Sequence, residues 1–211
     1  MPFVIRTLSY LLTFVSSKTI KNNEPIFKII TMETLVKTKW AIDPTHSEIA
    51  FKVKHLMITN VKGIFKEFDA SIYTTGESFM TADIDFWLNP ASIETGAADR
   101  DTHLKSADFF DVENHKQITF IGDTCEKVDS ENYTLYGDLT IKGVTKKIKL
   151  NVEFGGFMKD PWGNEKAGFN VTGKINRKDF GLNWNAALEA GGVLVGDEIK
   201  ISCEVELNKV S

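Results

Sequence analysis

The stretch IKISCEVEL, Ile199 to Leu207, decides the fold. Ile199, Ile201, Cys203, Val205 and Leu207 alternate with Lys200, Ser202, Glu204 and Glu206. A period of two places the apolar set on one face of a β-strand and the polar set on the other. The same pattern recurs through the chain. Ile49, Phe51, Val53 and His55 share a face against Glu48, Lys52 and Lys54, and Ala82, Ile84, Phe86 and Leu88 stand against Thr81, Asp83 and Asp85. Ile118 and Phe120 continue it, followed by Tyr133, Leu135, Gly137, Leu139 and Ile141, by Ile148, Leu150, Val152 and Phe154, and by Phe169, Val171, Gly173 and Ile175. With an extended segment from Val61 to Tyr73, the pattern predicts about eight strands.

Strands with one apolar face must bury those faces together, in a sandwich or in a sheet closed on itself. Thr75-Gly76-Glu77 and Lys142-Gly143-Val144 supply turn chemistry between neighbouring strand patterns, which makes those neighbours antiparallel. A closed sheet has no exposed edges, so the expectation is an all-β, antiparallel, eight-stranded barrel. Such a barrel is either filled by its own side chains or hollow enough for one small ligand. Gly122, Gly137, Gly173, Ala82 and Cys203 are small residues at inward positions. They mark strand kinks at barrel corners or space inside the barrel, and the space would be lined by Phe, Ile, Leu and Val.

One long segment interrupts the strands: SIETGAADRDTHLKSADFFDVENHKQITF, Ser92 to Phe120. It concentrates Asp99, Arg100, Asp101, His103, Lys105 and Asp108, then places Phe109 and Phe110 directly after them. Gly96 can break the preceding strand, Asp99 can cap, and His103 to Lys105 can complete a helical turn. The reading is a short helical lid across one end of the barrel, anchored by Phe109 and Phe110. A second helical turn is expected around Trp184 to Leu188.

At 211 residues, with 42% hydrophobic and 26% charged residues, the chain suits one domain with a large core. The net charge of −4 and the absence of a basic block exclude a phosphate-neutralising surface, so nucleic acid is not an expected partner. Residues 1–37 read as a leader or N-terminal extension and 38–209 as the barrel domain. Leu8 to Val15 is an apolar run behind Arg6, with Val15-Ser16-Ser17 as a weak cleavage signal, and is too short to span a membrane. A cytoplasmic location is favoured, with a periplasmic or secreted one if this leader is a signal peptide. Cys125 and Cys203 lack metal-ligand spacing and read as two reduced strand residues in preference to a disulfide.

Five ordered motifs carry a family resemblance. Trp40, Ile42, Asp43, His46, Ser47, Ile49, Phe51, Val53, His55 and Leu56 form the first. It is followed by Val61, Gly63 and Phe65, by RDTHLKSADFFD (Arg100 to Asp111), by GDLTIKGVTK (Gly137 to Lys146) and by NRKDFG (Asn176 to Gly181). Over roughly Thr38 to Leu207 the chain resembles the YceI-like family. The resemblance implies a lipocalin-like barrel whose apolar interior binds a polyisoprenoid chain, with the lipid or its head group emerging at one end. Members are often periplasmic. On this reading the interior is lined by Ile49, Phe51, Val53, His55, Ala82, Ile84, Phe86, Phe120, Leu135, Gly137, Leu139, Phe169, Val171, Gly173, Ile201 and Cys203. At the lid, Arg100, His103 and Lys105 would receive a phosphate or quinol oxygen, and Phe109 and Phe110 would meet the ligand as the lid's anchor. Alternatively, Arg100 and Asp101 staple the lid to the barrel rim.

The expected ligand is an isoprenoid lipid, of quinone or polyprenyl phosphate type, carried or stored without chemistry and without a catalytic cofactor. Transient membrane contact and a homodimer are compatible with this. Two alternatives stay open: an enzyme using His55 or His103 as acid or base on that lipid, and a stress-related interaction protein with a filled core. Asp43, His46 and Ser47 have the residue types of a hydrolase triad, but no nucleophile elbow accompanies them, and in a tight turn such residues cap backbone groups. His46, His55, His103 and His115 show no metal-ligand spacing. Asp179-Phe180-Gly181 matches a kinase tripeptide by chance, without the other kinase motifs.

Overall fold

The computed structural model describes residues 37–76, 78–187 and 193–210. Leader residues 1–36 therefore lie outside the described residues, as do Glu77 and Leu188 of the predicted turns, while Lys37 and Val210, left out of the expected domain, belong to its first and last strands. Among the described residues eleven strands are formed: β1 (Lys37–Ile42), β2 (Glu48–His55), β3 (Thr59–Phe65), β4 (Phe68–Thr75), β5 (Ser78–Leu88), β6 (Ile93–Glu94), β7 (Ile118–Lys127), β8 (Asn132–Ile141), β9 (Val144–Lys159), β10 (Glu165–Asn176) and β11 (Val195–Val210). Eight of them close into an antiparallel ring in the order β1, β4, β5, β7, β8, β9, β10, β11 and back to β1. The expected eight-stranded barrel is what the chain forms, although its membership differs in detail. The extended run from Val61 to Tyr73 is two strands. β3 pairs with β2 while β4 pairs with β1, and the chain changes partner at Lys66 and Glu67.

β11 is the strand that decides this arrangement. Its first part, through Glu204, pairs with β2, and its last four residues, Leu207 to Val210, pair with β1. Thus β2, β3 and β6 extend the sheet at one end of the ring. That end also holds α1 (Ala98–Lys105) and the loops between β5 and β7 and between β10 and β11. The opposite end carries the β4–β5, β7–β8 and β9–β10 hairpins. We call these the lid end and the hairpin end. The β8–β9 turn has both Lys142 and Gly143 in the left-handed region, at φ of 50° and 74°, which matches the twist of a tight hairpin. No regular helix forms at 182–187. Ala187 makes an isolated bridge to Val193.

The inward glycines behave differently from either expectation. A Cβ at Gly137 would overlap the Phe120 ring and lie 2.5 Å from the Ile121 carbonyl oxygen. One at Gly173 would lie 2.5 Å from Leu150 Cδ2, and one at Gly122 would lie 2.9 Å from Ile84 Cβ. Each glycine is a notch that a side chain from an adjacent strand folds into, so the space above Gly137 and Gly173 belongs to the wall. Gly122 additionally borders a register shift, as expected of a kink. Overpacking at such a notch costs roughly 1–3 kcal/mol. Gly137→Ala is therefore expected to lose about that much stability in urea unfolding. Gly168→Ala, where a Cβ meets nothing within 4 Å, should stay within about 0.5 kcal/mol of the parent.

Candidate functional site

The barrel encloses a cavity of about 710 Å³, in the upper part of the ~300–1,000 Å³ range of small-molecule pockets. Its wall is almost wholly hydrocarbon. Ala82, Leu135, Val152, Val171, Ile201 and Cys203 line its middle. Along β11 the lining includes the alternate residues from Ile199 to Leu207, eight steps and so about 26 Å of strand. The cavity is therefore long as well as apolar.

Aromatic side chains gather at both ends. At the hairpin end, Phe79 lies 5.2 Å from Trp40, 4.8 Å from Phe169, 6.3 Å from Phe154 and 6.1 Å from Phe157, ring centre to ring centre. At the lid end, Phe109 packs 5.1 Å from the His103 ring and 5.3 Å from Trp184, while Phe110 packs 6.0 Å from Phe65. Arg177, which lines this end, is buried. Its guanidinium donates to the carbonyls of Leu182, Trp184, Val195 and Gly196 and to Asp197. Five acceptors, two from the loop before β11 and three from the first residues of β11, explain why a buried cation is tolerated there. Burial nevertheless lowers its pKa, against the opposing pull of Asp197.

Most residues expected inside the barrel do line the cavity: Ile49, Phe51, Val53, Ala82, Ile84, Phe86, Phe120, Leu135, Leu139, Phe169, Val171, Ile201 and Cys203. Gly137 and Gly173 do not, because Phe120 and Leu150 cover them. His55 does not either, since it ends β2 at the rim, opposite Val195 and Thr59. The lid pair Phe109 and Phe110 faces the cavity together with Leu104, whereas Arg100, His103 and Lys105 are absent from its lining. The Arg100 side chain donates to the Thr95 hydroxyl and carbonyl, both at 2.7 Å. His103 Nε2 lies 3.0 Å from Asp108. Asp99 does not cap the helix. Ala97 occupies that position without a side-chain bond, and Asp101 accepts from the Thr95 amide and hydroxyl. Arg100 and Asp101 thus fasten the lid to its own approach, and His103 pairs with the turn that follows it.

The reading of the sequence passed over Phe79, Phe157, Tyr133 and Arg177 as site residues. Tyr133 and Phe154 were legible through the period of two, while Phe157 lies past a break in the β9–β10 register that shifts that period. Both cysteines are free and both line the cavity. Burial raises the Cys125 thiol and pushes Cys203 up to about 11, so neither is a ready nucleophile.

On the outer wall, Asp43, His46 and Glu206 bring ligand atoms within 4.8 Å of one another, a proximity that sequence spacing does not show. The Lys166 ammonium already lies 2.6 Å from Glu206 and 3.2 Å from Asp43 and supplies the cation. Asp43 Oδ1 accepts from the Thr45 amide and hydroxyl, and Ser47 Oγ accepts from the Glu206 amide. These residues cap a corner of the barrel, which is the structural alternative to a hydrolase triad. Among the described residues, no helix is long and apolar enough to cross a membrane.

A model of the YceI-like domain matches residues 40–207 of the chain. A UPF0312 protein of Staphylococcus epidermidis is 42% identical over 172 residues, which cover 81% of this chain and 98% of that relative. Among solved structures, a Campylobacter jejuni YCEI protein is 38% identical with a TM-score of 0.65, covering 75% of this chain and 90% of its own. A polyisoprenoid binding domain from Saccharophagus degradans, implicated in plant cell wall breakdown, shares the fold at 14% identity and a TM-score of 0.58, over 81% of this chain and 98% of its own.

The corner cluster gives the fold a pH signature. Hydrogen bonds from Thr45 and then His46 hold the Asp43 carboxyl well below the usual carboxylate range, and the bond to Glu206 raises Lys166. A lowered carboxyl stabilises the fold above the ordinary value near ~4, and that contribution is lost as pH falls toward the folded value. Lys166 works in the opposite direction and loses its contribution only above about pH 10. Asp43→Asn is expected to cost about 1.5 kcal/mol at pH 7, the low end for hydrogen bonds to a charged group. It should also flatten the fall in urea midpoint between about pH 4 and 2 that the parent shows; equal acid slopes would refute the assignment.

Proposed function

The chain belongs to the YceI-like family, and from that premise we propose that it binds a long-chain isoprenoid lipid in its barrel and carries or stores it unchanged. The observation that supports this most directly is the cavity, about 710 Å³ in volume and walled by hydrocarbon over most of a strand's length. Such a space suits a long, thin, apolar chain. The fold neighbour from Saccharophagus degradans is itself a polyisoprenoid binding domain, in keeping with the same ligand class. A quinone or a polyprenyl phosphate each supplies such a tail.

Magnitudes place the affinity in the tail. Each buried methylene contributes roughly 0.8 kcal/mol, whereas a net hydrogen bond contributes about 0.5–1.5 kcal/mol. Several isoprene units therefore outweigh any head-group contact, and the polar end sets orientation. The reading as a carrier is favoured over catalysis because neither His55 nor His103 lines the cavity. No acid or base from that pair meets a lipid held there. A filled-core interaction protein fits a cavity of this volume poorly.

Val171 sits mid-wall, opposite Cys203 on one side and Val152 on the other. Val171→Trp is expected to occupy the lumen while leaving the hydrogen-bonded wall intact. Organic extraction of purified protein followed by mass spectrometry should find a lipid with isoprene-unit spacing in the parent and at least tenfold less in the variant. An extract of the parent that contains no long apolar molecule would overturn the proposal.

A further inference from the structure

The wall of the barrel is not paired all the way round. Among the described residues, β5 and β7 pair only from Asp85 to Leu88 with Ile121 to Ile118. In the remainder of β5, Ile84, Asp83 and, past a register shift, Ser78 pair with β4, and the remainder of β7, Gly122 to Lys127, pairs with β8. The foot of this split is where Ile84 packs over Gly122. Directly beyond it a register shift between Gly122 and Thr124 turns β7 away from its former course. Each jamb is held from behind by a ladder with one register shift, while their facing edges are not joined to each other.

Residues on both jambs line the cavity: Met80, Ala82 and Ile84 from β5, Cys125 from β7, and Tyr133 and Leu135 just behind it on β8. Two large apolar lining residues are also substantially exposed to the outside, Met80 on the β5 jamb at 37% and Phe157 in the aromatic cluster at 46%. Both belong to the hairpin end. At the lid end the exposed apolar residues Leu56, Met57 and Ile58 do not line the cavity, and Phe109, Phe180 and Leu182 are buried. The aromatic cluster of Trp40, Phe79, Phe154, Phe157 and Phe169 occupies the other side of the hairpin end. What is left between the cluster and the lid is the side split.

We propose that the apolar ligand passes through a lateral portal between β5 and β7 at the hairpin end, and that its polar end rests there beside Tyr133, away from the lid. This deepens the lipid-binding reading and rests on it. Tyr133 is the phenol on a hydrocarbon wall, and its hydroxyl has no protein partner among the described residues. It can donate to a carbonyl, hydroxyl or phosphate oxygen. Lys127, its directly opposed residue on β7, is exposed at the same rim and adds a positive charge. The arrangement places the long tail toward Leu104 and Phe110 and keeps the polar end in water, so that no polar group has to be buried unpaired.

The experiment uses the full chain and a dansyl-capped farnesyl chain as the probe, with uptake followed by stopped-flow fluorescence. Ala82→Trp sets an indole in the split and is expected to slow uptake at least tenfold. A second measurement needs no altered fold. Cys125 lies inside the portal, and loading the parent with probe should slow its modification by dithiodipyridine at least tenfold, scored by peptide mass spectrometry. Uptake by Ala82→Trp at the parental rate, or a Cys125 that reacts equally in loaded and probe-free protein, would overturn the portal while leaving lipid binding intact. A parent that takes up no probe would overturn both. If Ala82→Trp fails to fold, the Cys125 measurement decides alone.

Discussion

Closure of this barrel depends on one residue's backbone. β11 is the partner of β2 as far as Glu204 and the partner of β1 from Leu207 onward. Glu206 sits at the changeover, where a ladder that switches strands would leave groups unpaired. Its amide donates to Ser47 Oγ at 2.9 Å, and its carbonyl accepts from the Asp43 amide at 2.8 Å. An unpaired backbone group in a wall costs as much as a lost hydrogen bond. The corner from Asp43 to Ser47 supplies the missing partners, and Lys166 locks the carboxylates of that corner to β10. Residues that look catalytic in one dimension are the joint that lets eight strands close and three more extend the sheet.

That joint also bears on the position of the cavity. Because β2 and β3 leave the ring at the lid end, the opening there must be covered by something other than a strand, and α1 with Phe109 and Phe110 covers it. The large rings lie toward the two ends. Between them the wall carries branched aliphatic and small residues, with Phe51, Phe86 and Phe120 on the lid half. A filled core would place its largest side chains in the middle, where interiors reach close-packed density. This distribution of side-chain size, more than the count of apolar residues, makes the barrel a container.

Alternation showed which face each residue takes, and for most of the wall that was enough, as Phe51, Leu135 and Cys203 illustrate. It could not show what stands across the sheet. Gly137 and Gly173 have the right parity, yet Phe120 and Leu150 reach them from neighbouring strands, and register between strands leaves no trace in either strand alone. His55 also has the right parity and fails because it ends its strand. The split of Val61 to Tyr73 was hidden for a similar reason: β3 and β4 are both extended, and only their partners differ. In the lid, charge density suggested a head-group site, but Thr95 within six residues satisfies both Arg100 and Asp101. Local satisfaction of this kind is invisible to composition.

The two ends of the barrel divide their chemistry accordingly. Polar groups of the lid end are spent on holding loops: Arg100 and Asp101 on Thr95, and Arg177 on four carbonyls between Leu182 and Gly196. Arg177, bonded through each of its guanidinium nitrogens, gains little by turning to a ligand, because the exchange replaces one hydrogen bond with another. Tyr133, at the far end, has a hydroxyl with no partner among the described residues. On the proposed reading, a ligand's polar end therefore finds its uncommitted donor where the wall is incomplete, while Arg100, Asp101 and Arg177 serve the closure at the other end.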